Sequence, residues 1–160
     1  MAGNPTFAVL DAYQVWLSTQ MPAQLQGPPS STVPVYYSAP GDRAPGAAAV
    51  WFGDVSDSYE VHSLRAAVRR RLVTVEFDLV IGVWLTGATV DGTLQRQCDE
   101  FAHSIRQIID LDIADEEHLH SPALVDWAKV VESRTERGMT VDGVGARITM
   151  RVAFQTRFID

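Results

Sequence analysis

Two periodicities alternate along this chain. Between Leu72 and Leu85 the odd positions are Val73, Val75, Phe77, Leu79, Ile81, Val83 and Leu85, while the even ones include Thr74, Glu76, Asp78, Gly82 and Trp84. A period of two predicts a strand with one face in a core and its charged residues on the other. The closing stretch repeats the pattern: Ala146, Ile148, Met150, Val152, Phe154, Thr156 and Phe158 alternate with Arg147, Thr149, Arg151, Gln155 and Arg157. Between these strands the spacing changes to three and four. Leu94, Cys98, Phe101, Ile105, Ile108 and Ile109 form one stripe, with Gln95, Arg96, Asp99, Glu100, His103, Arg106 and Gln107 outside it. That spacing predicts an amphipathic helix over 93–110, capped by Asp91, whose stripe fits the odd face of the preceding strand.

The other segments carry weaker signals. Asn4, Pro5 and Thr6 mark a helix start, and in the following residues 7–19 only Asp11, Gln14, Ser18 and Thr19 are clearly polar. So apolar a helix is expected to be buried on most sides, part of its cover coming from a partner subunit. Residues 22–46 are rich in Pro and Gly and read as loops around a short edge strand at 33–38, because Pro34 cannot donate to a central ladder. "AAAVWFGDV" (47–55) reads as a second strand and "SDSYEVHS" after it as a polar connection. An acidic loop spans 112–126, followed by a hairpin: "WAKVVESRT" outward, "ERGMTVDGVG" as its turn region, and the closing strand. The sum is one α+β domain over 1–160. It has a mixed or antiparallel sheet, packed on one face by an amphipathic helix, with an N-terminal helix in addition.

A chain of 160 residues is long enough for a single core. Its net charge of −7 argues against a nucleic-acid binder that works through a basic surface. Cys98 is the lone cysteine, so no internal disulfide is expected and a reducing cytoplasm fits. "MAGNPTF" has neither the basic start and apolar run of an export signal nor a glycine at position 2 for myristoylation. The apolar run Leu79–Leu85 falls far short of the ~20 residues that span a bilayer.

Candidate chemistry is sparse. His118 and His120 lie near Asp112, Asp115, Glu116 and Glu117, but without the spacing of a calcium loop or a zinc motif, and the segment reads as a solvated acidic loop. Cys98 lies on the apolar stripe of its helix and reads as a small core residue instead of a nucleophile. Arg65, Arg69, Arg70 and Arg71 in "RAAVRRR" lack interleaved aromatics and read as a solvated or interface patch. "GATVDGT" lacks the spacing of a phosphate-binding loop. Glu76 and Asp78 could be drawn as an acid–base pair, but the arginine face of the closing strand offers them an electrostatic partner, so structural charge pairing is expected. On a solvated face, Arg151→Glu would cost the isolated subunit no more than ~0.5 kcal/mol.

The order of parts, with "VTVEFDLVIGVWL", the helix "LQRQCDEFAHSIRQIID" and the closing "ITMRVAFQTRF", resembles the lambda-like tail terminator proteins of long-tailed bacteriophages. The resemblance covers most of the chain, the Pro/Gly-rich 22–46 segment and the acidic loop departing from it. It implies a structural virion protein, made in the host cytoplasm, without catalytic residues, cofactor or metal. Such a protein forms a hexameric ring on the finished tail tube, ends its growth and offers a surface to the head-completion proteins. The genome later passes through the ring. It further implies that the free sheet face, with Glu76, Asp78, Arg147, Arg151 and Arg157, lines a channel or a subunit seam. Near alternatives in role are a tail tube or head–tail joining protein. A ring in micrographs separates these from a different class, a small cytoplasmic enzyme or ligand-binding domain, which would be a monomer with a polar-lined apolar pocket.

Overall fold

The structure, a computed structural model, describes residues 5–24, 33–40, 48–63, 70–87, 92–114, 127–140 and 143–159. Its elements are α1 (Pro5–Gln24), β1 (Val35–Tyr36), β2 (Ala48–Ser63), β3 (Arg70–Thr86), α2 (Thr93–Ala114), β4 (Trp127–Thr140) and β5 (Gly143–Ile159). The strands form one sheet in the order β1-β2-β3-β5-β4, where β1 runs parallel to β2 and all other neighbours are antiparallel. The fold is α+β with a mixed sheet. From β3 the chain crosses through α2 to β4, leaving the width of one strand, and β5 returns through that gap. It pairs with β3 from Arg70↔Ile159 to Thr86↔Gly143.

Both helices pack on the same face. The odd positions of β3 from Val73 to Val83 and the even positions of β5 from Ala146 to Phe154 are buried, with Cys98, Phe101, Ala102, Ile105 and Ile109 of α2 above them. The predicted packing of the helix stripe on the odd face therefore holds. Thr156, the one polar residue in the alternation, is also buried on that face. Under α1 the core is aromatic: Phe77 meets Phe52 and Phe154 edge-on at centroid distances of 5.4 and 5.1 Å, and Tyr13 of α1 at 6.0 Å. α2 is preceded by Gly92, whose φ of 73° suits a residue without Cβ and whose carbonyl accepts the Arg96 N–H at 3.0 Å. Asp91, expected to cap this helix, lies outside the described residues.

Several boundaries differ from the expectations, each for a physical reason. β2 runs on through "SDSYEVHS", because a bulge between Phe52 and Val55 exchanges its two faces and breaks the period-two signal. Beyond the bulge Asp57 points to the helix side, where its carboxylate accepts the Thr6 hydroxyl at 2.8 Å. A bulge between Val130 and Glu132 hides the alternation of β4 in the same way. The hairpin turn is shorter than expected, since β4 and β5 pair as far as Thr140↔Gly143. At Gly143 any side chain would collide with the Leu85 carbonyl of β3, so the close approach of the two strands requires glycine. The edge strand expected at 33–38 is ordered in the sheet only over Val35–Tyr36, with the Pro34 carbonyl accepting the Val50 N–H at 2.9 Å.

Within the subunit the N-terminal helix is not buried on most sides. Val9, Leu10, Tyr13 and Leu17 are, but Phe7 and Val15 are 55% and 65% exposed. α2 occupies the middle of the sheet over β3 and β5, and α1 meets the core with one side only. No described helix is long and apolar enough to cross a membrane.

Cys98 is fully buried, its Sγ facing the Val83 carbonyl at 3.5 Å. Burial, then the Asp99 charge, push its thiol up from 9.0 to about 11. The neutral thiol is therefore favoured in the fold. In the unfolded chain it ionises first, so its contribution to stability is lost as pH rises from about 9 to about 11. A thiol reagent should react with the native protein only at the rate of unfolding, and Cys98→Ala should lose part of the alkaline decline in melting temperature. Rapid native labelling at pH 8 would contradict this burial.

Candidate functional site on the uncovered sheet face

The alternation that buries one face of β3 and β5 sends Glu76, Asp78, Arg147 and Arg151 to the other, which no described helix covers. Register decides which of them meet. Asp78 stands directly opposite Arg151, and Glu76 stands opposite Ala153, which presents only a methyl group. The guanidinium fills that room: Nε donates to Glu76 Oε2, Nη1 to Asp78 Oδ1 and Nη2 to Ser56 Oγ, each at 3.1 Å. Hydrogen bonding to Glu76 is the main cause that raises the Arg151 pKa further, against the opposing effect of desolvation. Thus the expected charge pairing of Glu76 and Asp78 with the arginine face is realised by Arg151.

This geometry corrects the expectation that Arg151 is an ordinary solvated position. Its side chain is 29% exposed and links β5, β3 and β2 across the sheet. Substitution there touches three strands. Arg157, the remaining member of the set, pairs through its backbone with Leu72, and its side chain lies outside the described residues. So do the side chains of Arg70 and Arg71, and all of Arg65, Arg69, His118 and His120. Among the described residues no group of three His, Cys, Asp or Glu is placed to hold a metal ion.

Arg147 lies in a different environment at one end of this face. It sits opposite Gly82 on one side and Glu136 on the other, with its guanidinium carbon 5.9 Å from the ring centroid of Trp51. Trp51, Ala49 and Val80 form a small second apolar cluster with Tyr36 and Trp84 packed against it. Gly82 makes the packing possible, since a Cβ there would stand 2.7 Å from the Trp51 ring. Gly82, Gly145 and Gly138 floor a notch of about 310 Å³ walled by the two tryptophans, Glu136 and Arg147. The sequence reading passed over this cluster. Trp84 and Gly82 fall on even positions of the long strand, and an apolar residue on the polar side of an alternation was the available signal.

Among the described side chains that strand pairing places on this face, charge balances. Glu76, Asp78, Glu132 and Glu136 are matched by Lys129, Arg134, Arg147 and Arg151, all on the uncovered side by register. These eight charges, mixed in sign, form no uncompensated basic stripe of the kind that holds a polyanion by phosphate neutralisation. No family model and no curated protein matches the chain.

Proposed function

We propose that the chain is a structural virion protein of the tail terminator type, a hexameric ring that caps a phage tail tube, ends its polymerisation and meets the head-joining proteins. The observation that carries this reading is the division of the sheet into a helix-covered face and an uncovered face of balanced charge. Arranged in a ring with that face inward, the sheets would line a channel through which DNA passes without being retained, because no uncompensated basic stripe is there to release counterions. The exposed Phe7 and Val15 of α1, on the helix side, add apolar surface available to a neighbour. On this reading the protein is not an enzyme and needs no cofactor.

Native mass spectrometry and negative-stain microscopy of the purified chain test the proposal. The expected result is a closed ring of six subunits that binds the end of isolated tail tubes. Open tubes would assign the chain to the tube itself, and a monomer at all concentrations would overturn the ring. The tryptophan-walled notch favours a second reading, a small ligand-binding domain. A monomer whose tryptophan fluorescence shifts on addition of a planar aromatic ligand would favour it.

A further inference from the structure

The floor of the tryptophan notch is bare backbone, and two neighbouring rungs of the sheet treat such backbone differently. In the rung Gly82–Arg147–Glu136 an aromatic ring lies over the glycine: a Cβ on Gly82 would stand 2.7 Å from the Trp51 ring. The next rung, Trp84–Gly145–Gly138, sets two glycines side by side. There a Cβ on Gly138 would meet nothing within 4 Å. Two adjacent strands without side chains leave a slot roughly 10 Å across, about two strand spacings. Half-buried Trp84 walls it, and its volume of about 310 Å³ is that of a small-molecule site. The ring that covers Gly82 from within the chain is the template for what covers Gly138 and Gly145 from outside it.

Charge selects among flat ligands. Arg151 takes both Glu76 and Asp78, Arg134 takes Glu136 at 3.0 Å, and Arg137 takes Asp99 on the helix side at 2.7 Å. Arg147 is left without a carboxylate among the described residues, its guanidinium carbon 5.9 Å from the Trp51 centroid. At the notch Arg134 and Arg147 stand against Glu136, a surplus of one positive charge. A guanidinium can keep its face on an aromatic ring while its planar fork holds a carboxylate. We infer that the notch binds a planar aromatic carboxylate of one or two fused rings, with the ring over Gly138 and Gly145 against Trp84 and the carboxylate on Arg147. The inference rests on the ligand-binding reading of this notch and names its ligand class. All the residues involved belong to one subunit, so the site is the same in a monomer and in a ring.

Equilibrium dialysis of the full chain against 2-naphthoate and its neutral isostere 2-naphthamide tests the site. Naphthoate should bind saturably at one site per chain, and the amide about 10-fold more weakly, the effect of losing a hydrogen bond between charged groups. Arg147→Gln should weaken naphthoate about 10-fold and leave the amide unchanged. Lys129→Gln, which removes the same charge elsewhere on the face, should alter neither. Gly138→Val places its side chain in open space, so the melting temperature should hold while binding of both probes is lost. Equal affinity for the two probes, or for naphthoate in Arg147→Gln and the parent, would overturn the carboxylate assignment and leave a notch for neutral rings. Undiminished binding by a folded Gly138→Val would overturn the location. No saturable binding of either probe at millimolar concentration would overturn the ligand site and the reading it rests on, while native mass decides the ring separately.

Discussion

Phe77→Ala should lower the unfolding free energy by about 3–5 kcal/mol, the usual loss when a fully buried phenylalanine leaves a cavity. Phe77 has no solvent exposure and sits at the centre of the aromatic cluster, touching Phe52, Phe154 and Tyr13. It thereby joins β2, β3, β5 and α1, and no single neighbour can move into the void without leaving another contact. Against a total stability of roughly 5–15 kcal/mol for a domain of this kind, the loss is large. Urea unfolding followed by tryptophan fluorescence and by far-ultraviolet circular dichroism measures it. Val131→Ala is the control, since a half-exposed position should change stability within ~0.5 kcal/mol. Equal effects from the two substitutions would refute the placement of the core.

Arg151→Glu should destabilise the isolated subunit by about 1–3 kcal/mol, the range for hydrogen bonds to charged groups reduced by partial solvent screening. The substitution removes the donor shared by Glu76, Asp78 and Ser56 and sets a third carboxylate beside two that are 38% and 22% exposed. Because these groups remain in contact with water, the repulsive part should shrink in 1 M salt, where the Debye length is roughly 3 Å. Arg147→Glu, at an exposed position, should cost the subunit much less. Under the proposed ring, both variants should impair assembly. An Arg151→Glu subunit as stable as the parent at low salt would show that the three-strand link contributes nothing.

The places where the pattern of residues misleads are instructive. Alternation in β3 and β5 is uninterrupted, so the faces of Phe77 and Arg151 can be assigned without coordinates. In β2 an extra residue at Gly53–Asp54, and in β4 one at Val131, shifts the phase, and the segments on either side then read as unrelated. A bulge depends on the partner strand against which it is counted, so a single chain segment cannot reveal it. α1 shows the converse problem. Apolar residues surround it, but its neighbours leave Phe7 and Val15 uncovered within the subunit.

The sequence alone determined the properties that depend on spacing within one element. These are the buried odd face of β3, the buried even face of β5, the α2 stripe with Cys98 inside it, and a polar face on which Glu76 and Asp78 would meet an arginine. Such properties follow from the fixed geometry of strand and helix, two and 3.6 residues per repeat. Tertiary structure decided what depends on register between distant segments. It placed β5 between β3 and β4, chose Arg151 over Arg147 as the partner of both carboxylates, and brought Gly82, Gly138 and Gly145 together beneath two tryptophans. Distant residues of different strands become neighbours on this face through backbone pairing, and a shift of one residue in that pairing would send each of these side chains to the opposite face.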